Sequence, residues 1–312
     1  MLDMKHHMNC MQLCLADICK KFNMADYLMF CNGWNFSCNN EKPLAQALYI
    51  SSEEDKSTYL EEYQGLYTEE ISKSTLADNY VFDYLNEKKD SQYEIIIHID
   101  SYDCPWHRGY QKLNIPHYVQ IVQLDFEKKI IVCDDPYLNA YLVELSFEHF
   151  LSGCETIYLY HCKPVENKLS IDILLDNLYR SMDIKLLKEN IVAFADRLLK
   201  VKDIPELFDY MDDVYLCNNV RVLKFISDSR YGLSYTLQNL YSVSKEDSII
   251  RLADLFELSG VIFEKINSYY IKLYFRKTDI QNKLQLIHNK LIDISNLETM
   301  IYNSINVLQG VS

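Results

Sequence analysis

Glycine and proline are scarce. Seven glycines and six prolines stand in 312 residues, about 4% against a usual ~12%, and no two glycines are close enough to form GxG. The dinucleotide fingerprint and the phosphate-cradling loop are thereby excluded, since both bring a flexible backbone up to phosphate oxygens. HExxH and GxSxG are missing as well. So is CxxC, which removes the usual signatures of a zinc ribbon and of a thioredoxin-like redox pair. No apolar run approaches the ~18 residues that cross a bilayer, and the start, MLDMKHHMNC, carries no signal-peptide apolar core. The expectation is a cytoplasmic protein with no membrane partner. Positive charge is also in deficit: 31 Lys and Arg against 45 Asp and Glu leave a formal net charge of −14. Such a field repels polyphosphates and argues against a nucleic-acid partner, while it draws in amines.

What is present is a folding chain. Hydrophobic residues make up 49%, with 25 Tyr and 13 Phe, far from the composition of disorder, and the length suggests about two domains. Without an export signal, most of the ten cysteines are expected to be free thiols. Cys10 to Phe22 places Leu13, Cys14, Ile18 and Phe22 at helical spacing, with Asn9 as N-cap and Lys20 and Lys21 at the end of the helix. Residues 40–90 read as mixed and mostly helical, with the acidic Ser51 to Asp55 on the surface.

From Tyr93 the pattern turns to strands: Glu94–Asp100, His117–Leu124, Lys129–Cys133 and Thr156–Tyr160. The short DFEKK connection makes the second and third of these an antiparallel hairpin, with His117 entering and Asp134 and Asp135 leaving at the same end. After Pro164 only helical faces remain, among them Leu187, Ile191, Phe194, Ala195 and Leu198, then Leu252, Leu255, Phe256, Ile262, Phe263 and Ile266. Leu284, Ile287, Leu291, Ile294, Ile301, Ile305 and Leu308 form a last such face. The expected division is residues 1–164, α+β with an antiparallel sheet, and residues 165–312, all-helical.

Cys10, His117 and Asp135 form the best constellation for chemistry. A thiol becomes a thiolate beside a helix N-terminus and an imidazole that takes its proton, and a carboxylate can orient that imidazole. The Cys10 amide at the helix head would then donate to a tetrahedral oxyanion. The plain alternative is one buried thiol among ten and one ordinary histidine among eight. Other candidates are weaker. His6, Cys10 and Cys14 share a spacing of four but lack a fourth metal ligand, and His161 with Cys154 and Cys162 has no recognised metal spacing, so no metal is expected. Asp100, at a strand end, is a candidate substrate-binding residue that attracts an amine, or a turn acid. Trp34 and Trp106 would floor a groove or sit in the core.

The ordered stretches His7-Met-Asn-Cys10, Asn32-Gly-Trp-Asn-Phe36, Ile99-Asp100-Ser-Tyr-Asp-Cys-Pro105-Trp, Tyr110, Pro116-His117-Tyr-Val-Gln-Ile-Val and Val132-Cys-Asp-Asp135-Pro136 resemble the N-terminal domain of the butirosin-biosynthesis acyltransferase family. They cover roughly residues 5 to 160. The resemblance implies a papain-like cysteine-protease fold, with Cys10 as acylated nucleophile, His117 as base and Asp135, directly before Pro136, as orienting acid. Asp134 competes for the last role, because a one-residue shift along a strand reverses the side chain. The oxyanion glutamine of papain-like proteases has no counterpart among Met4, Lys5, His6 and His7. Asn9 or His7 would replace it, unless Asn9 only caps the helix and His7 only faces solvent.

The implied activity is amide formation in natural-product biosynthesis, of which amide synthases of the closthioamide type are an example. An acyl group passes from the phosphopantetheine thioester of an acyl or peptidyl carrier protein, through Cys10, to a small amine or diamine. No other cofactor is implied. The helical half would exclude water, and Lys88-Lys89, Lys185/Lys188 or Arg276-Lys277 would dock the acidic carrier or simply face solvent. The rival readings are a cysteine peptidase or amidase with the same triad, in which water resolves the acyl-enzyme, and a noncatalytic binding protein.

Overall fold

The computed structural model describes residues 4–31, 34–50, 58–210, 213–276 and 278–310. In chain order these form α1 (Cys10–Lys21), the two-residue strands β1 (Ser37–Cys38) and β2 (Leu48–Tyr49), α2 (Thr58–Gln64), β3 (Leu66–Ser72) and α3 (Val81–Asp90). There follow β4 (Glu94–Asp100), β5 (Pro116–Asp125), β6 (Ile130–Asp135), β7 (Ala140–Ser146), α4 (Phe147–Gly153) and β8 (Cys154–Cys162). The remainder is helical: α5 (Ile171–Ser181), α6 (Ile184–Leu198), α7 (Asn218–Ser244), α8 (Asp247–Phe275) and α9 (Ile280–Leu308). Among the described residues no helix is long and apolar enough to cross a membrane.

The protein is α+β, with antiparallel sheets and a helical C-terminal region, and it divides into two units. One comprises Met8–Met29 and Ser57–Lys168; the other comprises Met1–His7, Phe30–Lys56 and Leu169–Ser312. The last of the four crossings, after Lys168, comes four residues beyond the expected boundary at 164. The first 164 residues are not one contiguous domain, however, because Phe30–Lys56 groups with the helices. The cause is long-range packing: Phe36 stacks on Phe263 and meets Phe194 edge-on, while its carbonyl accepts from Asn190 Nδ2 at 3.3 Å. Trp34 donates its indole N–H to Glu298.

In the first unit the sheet runs β3-β8-β4-β5-β6-β7, six strands with every neighbour antiparallel. Its central strands are the expected ones. Ile95, Ile97 and Ile99 of β4 lie in one core with Val119 and Ile121 of β5, Ile131 and Cys133 of β6, Ile157 and Leu159 of β8, and Val81, Phe82 and Leu85 of α3. The hairpin from β5 to β6 turns without glycine. Asp125 Oδ1 accepts from Lys128 N at 3.0 Å, and Lys129 takes the left-handed conformation at φ 54°. In the helical unit the expected apolar faces are buried, save Leu255, Ile262 and Leu308, which are half-buried. The acidic stretch Ser51 to Asp55, Asn32-Gly33 and Lys277 lie outside the described residues.

Candidate active site

Cys10 is the first residue of α1, and the helix begins there for a local reason. Asn9 closes a capping box: its Oδ1 accepts from Gln12 N at 2.9 Å and its backbone N–H donates to Gln12 Oε1 at 3.0 Å. The Cys10 amide therefore belongs to the first turn, where N–H groups have no intrahelical acceptor, and its side chain is partly exposed. The helix buries Leu13, Cys14, Leu15, Ile18 and Cys19 and packs on β5 and β4.

Strand alternation places the other two residues. Ile121 of β5 pairs with Cys133 of β6, and both are buried. His117 lies four residues before Ile121 and Asp135 two after Cys133, so the period of two puts both on that same face. Asp134 pairs with Gln120 on the opposite face, where its Oδ1 accepts from Leu142 N at 2.8 Å. The choice between the two acids is thus made by register: Asp135 meets His117.

The contact is close and dry. His117 Nε2 lies 2.7 Å from Asp135 Oδ2, with side chains 3% and 0% exposed. Trp106 Nε1 donates to the same oxygen at 2.9 Å, and Leu138 N donates to Oδ1 at 3.1 Å. The Cys10 thiol is the other side chain close enough to act on the His117 ring, where it favours the protonated imidazole. With Nε2 committed to the carboxylate, Nδ1 is the nitrogen left to take the thiol proton, and in the neutral ring it is the acceptor. Burial alone would lower the His117 pKa, but the hydrogen bonds and negative charge of Asp135 and Cys10 outweigh it and raise it to about 9. Burial likewise pushes the Asp135 carboxyl up, and the His117 hydrogen bond and charge with the Trp106 and Leu138 donors bring it below the usual range. Three side chains from three elements thus converge, with His117 bonded to the carboxylate and Cys10 near enough to favour its charged form.

The neighbouring thiols differ from Cys10. Cys14, Cys104 and Cys133 are fully buried, and burial pushes each of them well up, as for inert core cysteines. The helix also breaks before Cys10: residues 4–7 form a separate 3₁₀ turn, so His6, Cys10 and Cys14 do not share one helical face. Cys14 Sγ instead donates to Tyr118 O at 3.7 Å. No cluster of three His, Cys, Asp or Glu suited to a metal occurs among the described residues.

The remaining expected residues have structural partners. Asp100 pairs with Pro116 at the sheet end that carries His117, and its Oδ1 accepts from Tyr102 N at 2.8 Å, the role of a turn acid. His7 belongs to the helical unit, where its ring lies 3.8 Å from that of Tyr231 and Nδ1 lies 3.3 Å from Asp228 Oδ1. Lys88 sits over the rings of Tyr84 and Tyr93, and Lys89 lies 3.6 Å from Glu94. Sequence reasoning missed the tie of Trp106 to Asp135. It also missed His107, whose ring centroid is 5.0 Å from that of His117, and Tyr137 at 6.1 Å. A signal for the first two existed: they stand in the connection between β4 and β5, which must return to the sheet end where β5 begins.

No protein-family model matches this chain, and no curated protein matches it with significance.

Proposed function

We propose that this protein is a cysteine-dependent acyltransferase that forms an amide from a thioester and an amine, on a papain-like arrangement of helix and sheet. The observation that carries the reading is the His117 ring, bonded to the Asp135 carboxylate at 2.7 Å and favoured in its charged form by that acid and by the Cys10 thiol at the head of α1. Supporting the papain-like arrangement are a nucleophile at a helix N-terminus and a base and acid on one face of an antiparallel sheet. The choice of a carrier-bound thioester as donor, and of an amine over water as acceptor, rests on the ordered motifs, as does a place in natural-product assembly.

In the first half-reaction His117 holds the proton of Cys10, and the thiolate attacks the thioester carbonyl. The new bond is Cys10 S–C. The bond that breaks is the carbonyl C–S bond to the pantetheine arm, whose sulfur leaves with the proton from His117. In the second, the amine attacks the acyl-enzyme, the C–N bond forms, the Cys10 S–C bond breaks and the amine proton returns through His117 to the sulfur. One thioester and one amine give one amide and one thiol, with no redox change. The helix-head amide of Cys10 donates to the oxyanion in both halves.

Intact-protein mass spectrometry after incubation with an acyl N-acetylcysteamine thioester, with and without a diamine, tests this. The expected result is an acyl adduct on Cys10 that a diamine discharges as an amide. Free acid as the sole product in both arms gives the protein to the peptidase or amidase reading, and a wild-type protein that never carries an adduct removes the covalent mechanism.

A further inference from the structure

The site has a second imidazole that the mechanism above leaves idle. His107 sits in the connection between β4 and β5, beside His117, with only 8% of its surface exposed. Its Nδ1 accepts a hydrogen bond from Gly109 N at 2.9 Å. That bond fixes the tautomer: with its Nδ1 lone pair taken, a neutral ring carries its proton on Nε2 and can only donate there. Protonating Nδ1 would sacrifice the Gly109 bond. Burial and the His117 charge both lower the His107 pKa, against the opposing pull of Asp135. Among the described residues no acceptor takes the Nε2 proton, and Nε2 is not among the fully buried unpartnered atoms, so a residue more than nine-tenths buried keeps this one donor open beside His117.

The support under His107 is firm. Ser101 Oγ closes the base of the loop, donating to Leu113 O at 2.8 Å and accepting from Ile115 N at 3.1 Å. Gly109 is wedged between that hydroxyl and the imidazole: a Cβ there would fall 2.7 Å from Ser101 Oγ and 3.0 Å from His107 Nδ1. A larger residue would displace the N–H that sets the tautomer.

We propose that His107 is a further substrate-binding residue, whose Nε2–H donates to the carbonyl oxygen of the acyl group as Cys10 attacks it. The proposal rests on the acyl-transfer reading. A substrate atom that meets this group must be an acceptor; the amine spends its one lone pair on the attack, whereas the carbonyl oxygen keeps its lone pairs and gains charge as attack proceeds. The site also needs such a donor. The Cys10 amide supplies one hydrogen bond to an oxyanion with more than one lone pair, and His7 is held by Asp228.

The test compares two reactions of the full chain. Alkylation of Cys10 by iodoacetamide needs the thiol–imidazole pair but builds no oxyanion; acylation by acetyl N-acetylcysteamine thioester or p-nitrophenyl acetate needs both. His107→Phe is expected to slow acylation about 100- to 1,000-fold and to leave alkylation and its pH profile unchanged. His107→Gln, which keeps an N–H, is expected to retain part of the acylation rate. Should the phenyl ring not fit, His107→Met makes the same measurement with a more adaptable apolar chain. Equal loss of both reactions would reduce His107 to a support for His117 and overturn the assignment, as would an unchanged acylation rate. A wild-type protein that is alkylated but never acylated overturns the acyl-transfer reading and this assignment together.

Discussion

His117 Nε2 and Asp135 Oδ2 stand 2.7 Å apart in a place almost closed to water, and the Trp106 indole donates to the same oxygen. The carboxylate oxygen that faces the imidazole thus has two donors. This favours the ionised acid and leaves Nδ1 as the imidazole nitrogen available to a thiol proton.

The first prediction concerns pH. Burial opposes the charge on His117, yet its partners raise its pKa to about 9, above the ordinary value near 6.5. A raised imidazole pKa means that the charged ring stabilises the fold fully below about pH 6.5 and that this contribution, up to about 3 kcal/mol, is lost as pH climbs through 9. The His117 ring protons, followed by NMR, are expected to titrate near 9 in the wild type and at lower pH in Asp135→Asn. An unchanged midpoint in the variant would show that Asp135 does not hold the charge.

A second prediction separates two thiols four residues apart. Cys10 is partly exposed and Cys14 has no exposure. Cys10→Ala is expected to change unfolding free energy by less than about 0.5 kcal/mol and to abolish the acyl adduct. Cys14→Ala removes a packed sulfur and its bond to Tyr118 O, which costs about 1–2 kcal/mol, and keeps the adduct. An adduct that survives in Cys10→Ala would place the chemistry on another residue.

The two adjacent acids give a third. Asp134 Oδ1 holds the backbone N–H of Leu142, which adopts the left-handed conformation at φ 53°; Asp135 holds His117. Asp134→Asn keeps an acceptor in place and is expected to leave acylation unchanged. Asp135→Asn is expected to lower it by about 100- to 10,000-fold, the span of a positioned base and its orienting acid. Equal effects from the two would mean that strand register does not decide which acid acts.

Much of this site was legible in the chain because its parts are locally encoded. Asn9 and Gln12 mark the helix start at Cys10 through a capping box within four residues, and the short turn between β5 and β6 returns Asp135 to the end where His117 begins. What was not legible lies at edges and across long separations. β3 and β7 are the two outer strands of the sheet. Each has a single ladder partner and a wetter surface, so Leu66–Ser72 carries Thr68, Glu69 and Glu70 and does not resemble the isoleucine run of β4. Phe30–Lys56 joined the helices through Trp34 and Phe36, whose partners lie about 150 to 260 residues away, beyond the reach of any local pattern. Trp106 and His107 acquire their roles only when the loop after β4 folds back beside β5.

The last prediction takes up the buried charge in the helical unit. Arg230 and Glu298 have no exposed side-chain surface, and Arg230 Nε donates to Glu298 Oε1 at 2.8 Å. Ser259 Oγ donates to the same oxygen at 2.7 Å, Trp34 Nε1 donates to Oε2, and Arg230 also reaches Asn35 O at 3.1 Å. Desolvating two charges costs several kcal/mol, which their attraction offsets only while every partner is present. Arg230→Met leaves an unpaired buried carboxylate and is expected to cost about 3–5 kcal/mol. Glu298→Gln keeps the acceptor oxygen but removes the charge, and brings an amide N–H₂ against the Trp34 or Ser259 donor, so a smaller but clear loss is expected. In Arg230→Met with Glu298→Leu neither charge remains, and stability should recover toward that of the wild type, short of it by the unmet Trp34 and Ser259 donors. Chemical denaturation of the three variants measures this. If the double variant were as unstable as Arg230→Met alone, the cost would lie in lost packing around α7 and α9 and not in the stranded charge.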